Sequence, residues 1–295
     1  MLSLEHLAGL LEQNRAAASA RVKEFSIGGR KFKFNSQPAI MGVINLSADS
    51  WYRESVCLSA DSAVQRGKTL AAQGAQIIDV GAESTLAHAA RAGDEAQKSM
   101  LLPVIKKLHA EKILVSVETY SPTVTRASLE AGANVLNLTG TAGSKEMFRM
   151  VAAHDAAAII CYVAGKNVRE VGDFNLRADP IPMLRDFFAR QIELAQKNGV
   201  EKIFIDPGLG FYYRNLQDSA VRVRHQMNIF LNTFRLRELG FPVCHALPHA
   251  FEFFQDEVRC AEPFFAVLAS LGKTDLYRTH EVPRIKAVLE TMKSF

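Results

Sequence analysis

The chain has 295 residues, of which 48% are apolar and 22% charged, with a formal net charge of +4. That composition describes a globular chain with a large core, and its Lys and Arg residues are scattered without a basic run or aromatic-basic interleaving, so no nucleic-acid partner is expected. No apolar run approaches the roughly 20 residues of a membrane span, and Glu5, His6, Glu12 and Arg15 leave no apolar core for a secretory signal, so a cytoplasmic location and no membrane partner are expected.

Leu4, Leu7, Leu10 and Leu11 recur at helical spacing and predict an amphipathic helix from Ser3 to about Val22. Phe25 to Phe34 alternates apolar residues around Gly28-Gly29, the pattern of a hairpin that would plug the bottom of a barrel. Residues 1–36 are therefore expected to form a helix-and-hairpin extension and 37–295 the main domain. Strands are expected at 39–46, 76–81, 113–118, 134–139, 157–163, 203–207, 242–247 and 275–280. Helical patterns fill the gaps at 61–73, 93–110, 122–131, 146–153, 180–198, 216–239, 257–271 and 282–294. Strand and helix alternate in series with no linker or low-complexity tract, which predicts an α/β fold, a single (β/α)8 TIM barrel. The competing doubly wound sheet lacks its usual G-x-G-x-x-G fingerprint after the first strand.

Six of the eight expected strands share one feature. Each apolar run delivers a polar group at its C-terminal end: Asn45, Asp79, Glu118, Asn137, Asp206, and finally Arg278 with His280. Polar groups gathered at the strand ends describe an active-site face built from many strands. The sharpest case is Ile203-Phe204-Ile205-Asp206-Pro207-Gly208, a buried strand ending in a carboxylate and a turn. Cys57, Cys161, Cys244 and Cys260 lie far apart without a C-x-x-C pair and read as core thiols of a reducing compartment.

Six blocks, in order, resemble the signatures of dihydropteroate synthases: Met41–Trp51, Ile77–Thr85, Ser116–Tyr120, Gly132–Asn137, Asp206–Phe211 and Arg278–Val282. The resemblance covers about residues 39–294. It implies a transferase that joins a hydroxymethyl-dihydropterin diphosphate to p-aminobenzoate or a variant arylamine and releases pyrophosphate. On that resemblance Asp206 takes the donor pair of the pterin edge, with Asn137 and Glu118 beside it, Glu118 standing where the family has Asp. A carboxylate suits two neighbouring donors because it accepts both in a charge-assisted pair. Arg278, His280 and a Mg2+ near Asn45 are implied as the positive groups that meet the leaving diphosphate. Thr85 and His249 are further implied substrate contacts, and the family's dimers imply a homodimer through the last helices.

A structural reading stands beside each assignment. Asp206 is also what pinning a loop requires, Asn45 and Asn137 are also loop-capping amides, and Arg278-Thr279-His280 is also a salt-bridged helix entry. Asp79 and Glu83 serve loop two by hydrogen bonds on the same reading. His245 and His249 have the i, i+4 spacing of a metal-binding helix, but Pro248 and the strand pattern break it, so no zinc is expected. Phe251, Phe253, Phe254, Phe264 and Phe265 read as core or subunit contact. In 216–239, Met227, Phe230, Leu231 and Phe234 form the barrel-facing side, with Arg222, Arg224, Arg235 and Arg237 on a solvated one.

The chain departs from the resemblance at cationic positions. Ala250 stands at the family's seventh-strand lysine, His249 at its arginine, Leu86-Ala87 at the Arg-Pro of loop two, and Tyr212-Tyr213 at a Gly-Lys. Loop one carries Ala48 for Pro, with Arg53-Glu54 in a normally Gly-rich segment. Two outcomes follow. Either the chain transfers a pterin to a different amine, with Tyr212, Tyr213, His249 and Phe251 shaping the acceptor site, or it is a pterin-binding relative without synthase activity, acting as a partner or regulator.

Overall fold

The computed structural model describes residues 2–47, 49, 55–84, 89–211 and 213–295. It opens with two short helices, α1 (Leu4–Gln13) and α2 (Arg15–Ala18), where spacing alone predicts one longer helix. The break is at Asn14, whose backbone leaves helical geometry (φ −132°) while its side-chain amide donates to the Leu10 carbonyl at 2.9 Å. Asn favours such local side chain-to-backbone bonds over continuing a helix. Strands β1 (Ser26–Ile27) and β2 (Arg30–Lys31) form the expected hairpin. Its turn residues Gly28 and Gly29 sit at φ +52° and +80°, which a tight hairpin turn requires at both positions.

Strand–helix units then follow in series: β3 (Ala39–Asn45) and α3 (Ala60–Gln73), β4 (Ile77–Gly81) and α4 (Asp94–Ala110), β5 (Val115–Thr119) and α5 (Pro122–Glu130). Next come β6 (Val135–Leu138) and α6 (Ser144–Ala153), β7 (Ala157–Cys161) and α7 (Ile181–Lys197), β8 (Ile203–Asp206) and α8 (Ser219–Leu236). The chain ends with β9 (Cys244–Ala246), a single turn α9 (Phe251–Phe254), α10 (Ala261–Leu271), β10 (Leu276–Thr279) and α11 (Val282–Met292). The expected helix 257–271 thus begins at Ala261, after a 3-10 stretch from Gln255 to Cys260. Pro263 is tolerated there because it falls in the first helical turn.

All strands of the main sheet run parallel in the order β8-β7-β6-β5-β4-β3-β10-β9. The ring closes where Ile205 bridges Val243 and its N–H donates to the Pro242 carbonyl at 3.1 Å. The α/β fold is the expected (β/α)8 barrel. β4, β7 and β8 are buried along their whole length, as strands of a parallel sheet covered by helices are.

Two apolar clusters hold the barrel. One lies between strands and helices; the other fills the bottom of the barrel, where Phe25, Ile27, Phe32 and Phe34 of the extension meet Met41, Ile77, Leu114, Ile159 and Phe204. Phe25 and Phe34 each present an edge to Phe204 at 5.2 Å. A second tie is ionic: buried Arg237 pairs with Asp275 at 3.2 Å and donates to the Ala20 carbonyl and to Asn35. The solvated arginine side expected for α8 is therefore half right, since Arg224 is exposed whereas Arg222 and Arg237 are buried in ion pairs. With the bottom plugged, the open end is the rim carrying the strand C-termini.

Candidate active site

Asp206 closes β8 and is buried, with Oδ1 accepting the Gly208 N–H at 2.7 Å. The turn that makes this bond needs glycine. Gly208 sits at φ +75°, and a Cβ there would lie 2.2 Å from the Tyr162 carbonyl oxygen. Burial pushes the Asp206 carboxyl up to about 6, against the opposing pull of the Gly208 N–H and the Arg278 guanidinium.

Around it the neighbouring strands contribute a connected polar floor. Asn137 on β6 donates from Nδ2 to Asp79 Oδ2 on β4 at 3.1 Å and accepts from Cys161 Sγ at 3.2 Å. Arg278 on β10 gives its Nε to Asp79 Oδ2 at 2.7 Å and a terminal nitrogen to Glu118 on β5. Burial pushes the Glu118 carboxyl up, with Arg278 opposing. Arg278, implied by the resemblance as a positive group for the diphosphate, is thus already compensated by two carboxylates. Asp79, expected to serve loop two, instead organises this floor.

Asn45, Glu118, Asn137, Asp206, Arg278 and His280 line one open-mouthed cleft. Convergent polar groups in a concave site at the strand C-termini are the usual form of a barrel's small-molecule site. The three side chains read as one constellation, Asp206, Asn137 and Glu118, do face a single concavity.

Comparison with known proteins now bears on the chain. The family described as pterin binding enzyme matches residues 41–245. The chain belongs to that family. It is 32% identical to the dihydropteroate synthase of Clostridium beijerinckii over 224 residues, 74% of this chain and 76% of that protein. The dihydropteroate synthase of Synechocystis is 29% identical over 221 residues, 74% of this chain and 73% of that one. Among solved structures, Xanthomonas albilineans dihydropteroate synthase with 4-aminobenzoic acid superposes with a TM-score of 0.76 at 26% identity, covering 92% of this chain and 97% of that one.

In this member of the pterin binding enzyme family, His280 is held by a residue that sequence reasoning missed. Glu262 on α10, buried, takes the His280 ring at Nδ1 (2.7 Å), the His280 backbone N–H (3.1 Å) and the Thr279 hydroxyl. The only signal in the sequence was an acid in the otherwise apolar run Ala261-Glu262-Pro263-Phe264-Phe265. Asn45 donates from Nδ2 to Ser55 Oγ at 2.5 Å. Glu83 serves the loops as expected, accepting from Tyr120 Oη at 2.7 Å and from the Ala92 N–H at 3.2 Å. Arg169, a second missed residue, donates to the carbonyls of Ser84 (2.8 Å) and Ala89 (2.5 Å) and so ties the two ends of the intervening segment.

The expected seventh-strand loop also takes shape. Ala250 is buried, and the His249 ring lies 4.1 Å from that of Phe251. Burial, with Arg222 nearby, lowers His249 to about 4, so it is neutral at pH 7 and supplies no cation. His245 is a core residue, its Nε2 2.7 Å from Thr233 Oγ1 and its pKa lowered to about 3 by burial. Tyr213, expected to shape an acceptor site, is instead buried beneath the loop with its hydroxyl on the Tyr162 carbonyl at 3.2 Å. Phe265 is core while Phe264 is partly exposed. Thr85 lies outside the described residues, as do Ala48, Trp51, Arg53, Glu54, Leu86, Ala87 and Tyr212.

Proposed function

We propose that the chain joins a hydroxymethyl-dihydropterin diphosphate to an arylamine with release of pyrophosphate, the reaction named for its dihydropteroate synthase relatives. The observation carrying this reading is the convergence of Asp206, Asn137 and Glu118 on one buried floor at the strand C-termini. An aminopyrimidine edge offers adjacent N–H donors, and Asp206, oriented by the Gly208 N–H, is placed to accept them. Asn137, locked by Asp79 and Cys161, completes that edge. The substrate's C–O bond breaks as pyrophosphate leaves, the pterin ring delocalises the positive charge, and a C–N bond forms as the amine attacks and releases its proton to solvent. On this reading His280, held by Glu262, meets the leaving group's charge.

Asn45 fits a Mg2+ that arrives with the diphosphate. Its Nδ2 is spent on Ser55, which leaves the amide oxygen as a hard donor of the kind such an ion takes alongside substrate phosphates. A bound Mg2+ would neutralise charge on the diphosphate. We place the activity in a reducing, cytoplasmic compartment, a reading supported by the buried free thiols Cys57, Cys161 and Cys244; among the described residues no helix is long and apolar enough to cross a membrane. Partly exposed Phe264, Val267 and Leu271 on α10 support a homodimer through the last helices.

One observation favours a second reading, a pterin-binding partner or regulator without turnover: Ala250 is buried and Arg278 is already compensated, so cationic help at the reacting centre is reduced. Calorimetry with a pterin and with its diphosphate, each with and without Mg2+, separates the two, together with pyrophosphate release across several arylamines. Mg2+-dependent diphosphate binding and released pyrophosphate support the transferase. Pterin binding that ignores both diphosphate and metal supports the regulator, and no affinity for either compound refutes both.

A further inference from the structure

Glu83 comes two residues after Gly81, the end of β4, and lines the cleft on the side of Asn45, since β3 and β4 pair at Asn45 and Gly81. On the transferase reading the diphosphate is met at Asn45 and His280, so this wall sets a carboxylate beside an incoming polyanion. The Glu83 side chain is only 8% exposed, with Oε2 on the Tyr120 hydroxyl and Oε1 on the Ala92 N–H. A second carboxylate of the same rim, Asp49 of loop one, accepts the Ala90 N–H at 3.2 Å. Negative charge in a poorly solvated wall repels a polyanion unless a cation offsets it.

That cation comes from a distant part of the chain. Arg169 lies in the connection between β7 and α7, where the Val168 N–H donates to the Thr139 carbonyl at 3.0 Å and the Arg169 N–H to Asn167 Oδ1 at 2.9 Å. These bonds fix the base of a side chain that is 3% exposed. Its two terminal nitrogens donate to the Ser84 and Ala89 carbonyls at 2.8 and 2.5 Å, and its Nε lies 3.9 Å from Glu83 Oε1. Arginine suits this place because its planar fork serves two carbonyls while its charge stays close to the acid. Arg91, by contrast, is exposed and pairs with Glu170 at 3.7 Å. Arg169 does not line the cleft, so it acts through Glu83 and not on the substrate directly.

We propose that Arg169 is a positioning residue for the diphosphate end of the substrate: it cancels the Glu83 charge on the Asn45 wall, and with it the repulsion that would turn a polyanion away. This rests on the transferase reading and deepens it by naming how the cleft admits a diphosphate next to a carboxylate. The effect is one of charge, so it discriminates between ligands. A diphosphate feels it; an uncharged pterin does not.

Calorimetry on the full chain tests this with 6-hydroxymethylpterin and with its diphosphate, each in the presence of Mg2+. Arg169→Met keeps the length and removes the charge. It should weaken diphosphate binding by about 10- to 100-fold and pterin binding by less than about twofold. Adding Glu83→Gln to Arg169→Met should restore most of the lost affinity, and Arg169→Lys should retain most of it. A clasp that only shapes loop two behaves differently: both ligands weaken alike, and the second substitution restores nothing. Glu83→Gln alone leaves the arginine's charge uncancelled and should tighten the diphosphate about threefold or more with the pterin unmoved, a result that does not depend on Arg169→Met folding. Parallel losses for the two ligands, a double variant no tighter than Arg169→Met, or no selective gain in Glu83→Gln overturns the proposal. Where the wild type binds the diphosphate more tightly than the pterin, any of those results sinks this inference alone. A wild type that shows no such preference, or binds neither compound, takes the transferase reading with it.

Discussion

Replacing Asp206 with Asn tests the idea that the floor of the cleft is held in a state the fold itself disfavours. The Asp206 carboxyl is raised from 3.8 to about 6 by burial. A carboxylate with a raised folded pKa binds its proton more tightly in the native than in the unfolded chain. Native stability therefore falls as pH rises from about 4 to about 6, and the full penalty persists above that. The shift of roughly two units corresponds to about 3 kcal/mol at pH 7. Asn keeps the shape and still accepts the Gly208 N–H, whose pull on the charged form is already contained in that shift. Asp206→Asn is expected to stabilise the protein by about 3 kcal/mol at pH 7 while abolishing measurable pterin affinity. Urea unfolding of both chains at pH 5, 6, 7 and 8 reads the gain, which should shrink steadily below pH 6. A variant no more stable than the wild type at pH 7, or a gain independent of pH, refutes the reasoning.

Three further outcomes are expected. Arg278→Ala strands Asp79 and Glu118 as buried carboxylates without their cation and should cost about 3–5 kcal/mol in urea unfolding at pH 7, less at pH 5 where Glu118 takes up a proton; a loss below 1 kcal/mol at pH 7 contradicts this. Glu262→Gln removes the charge facing His280 Nδ1 and one of two acceptor oxygens, so pyrophosphate release should slow about tenfold or more and unfolding stability fall by about 1–3 kcal/mol, with partial recovery of both in Glu262→Asp. Gly208→Ala forces a Cβ against the Tyr162 carbonyl at positive φ and should cost about 1–3 kcal/mol, measured by unfolding, and weaken pterin binding by displacing Asp206.

Much of this architecture was legible before any coordinates. The alternation of short apolar runs with 3.6-residue periodicity specified eight strand–helix units, and the misplaced boundaries occurred where a local side-chain bond intervened, as at Asn14. The polar residue at or near the C-terminal end of six of the strands was also legible, because it interrupts an apolar run where the strand approaches the barrel rim. Those signals are local, carried by spacing along the chain, and the three residues they singled out, Asp206, Asn137 and Glu118, line one cleft.

Partnership between distant residues was not local, and only the tertiary structure decided it. Arg278 is 199 positions from Asp79 and 160 from Glu118, so nothing in its neighbourhood announced that its charge was already taken. Glu262 went unread in the sequence, and its role emerged only where α10 lies against the end of β10. Arg222 read as one of several surface arginines until α8 turned it towards the cleft. A chain's own spacing governs which face of an element is apolar. Whether a buried charge is compensated depends on what the other elements bring to within 3 Å of it.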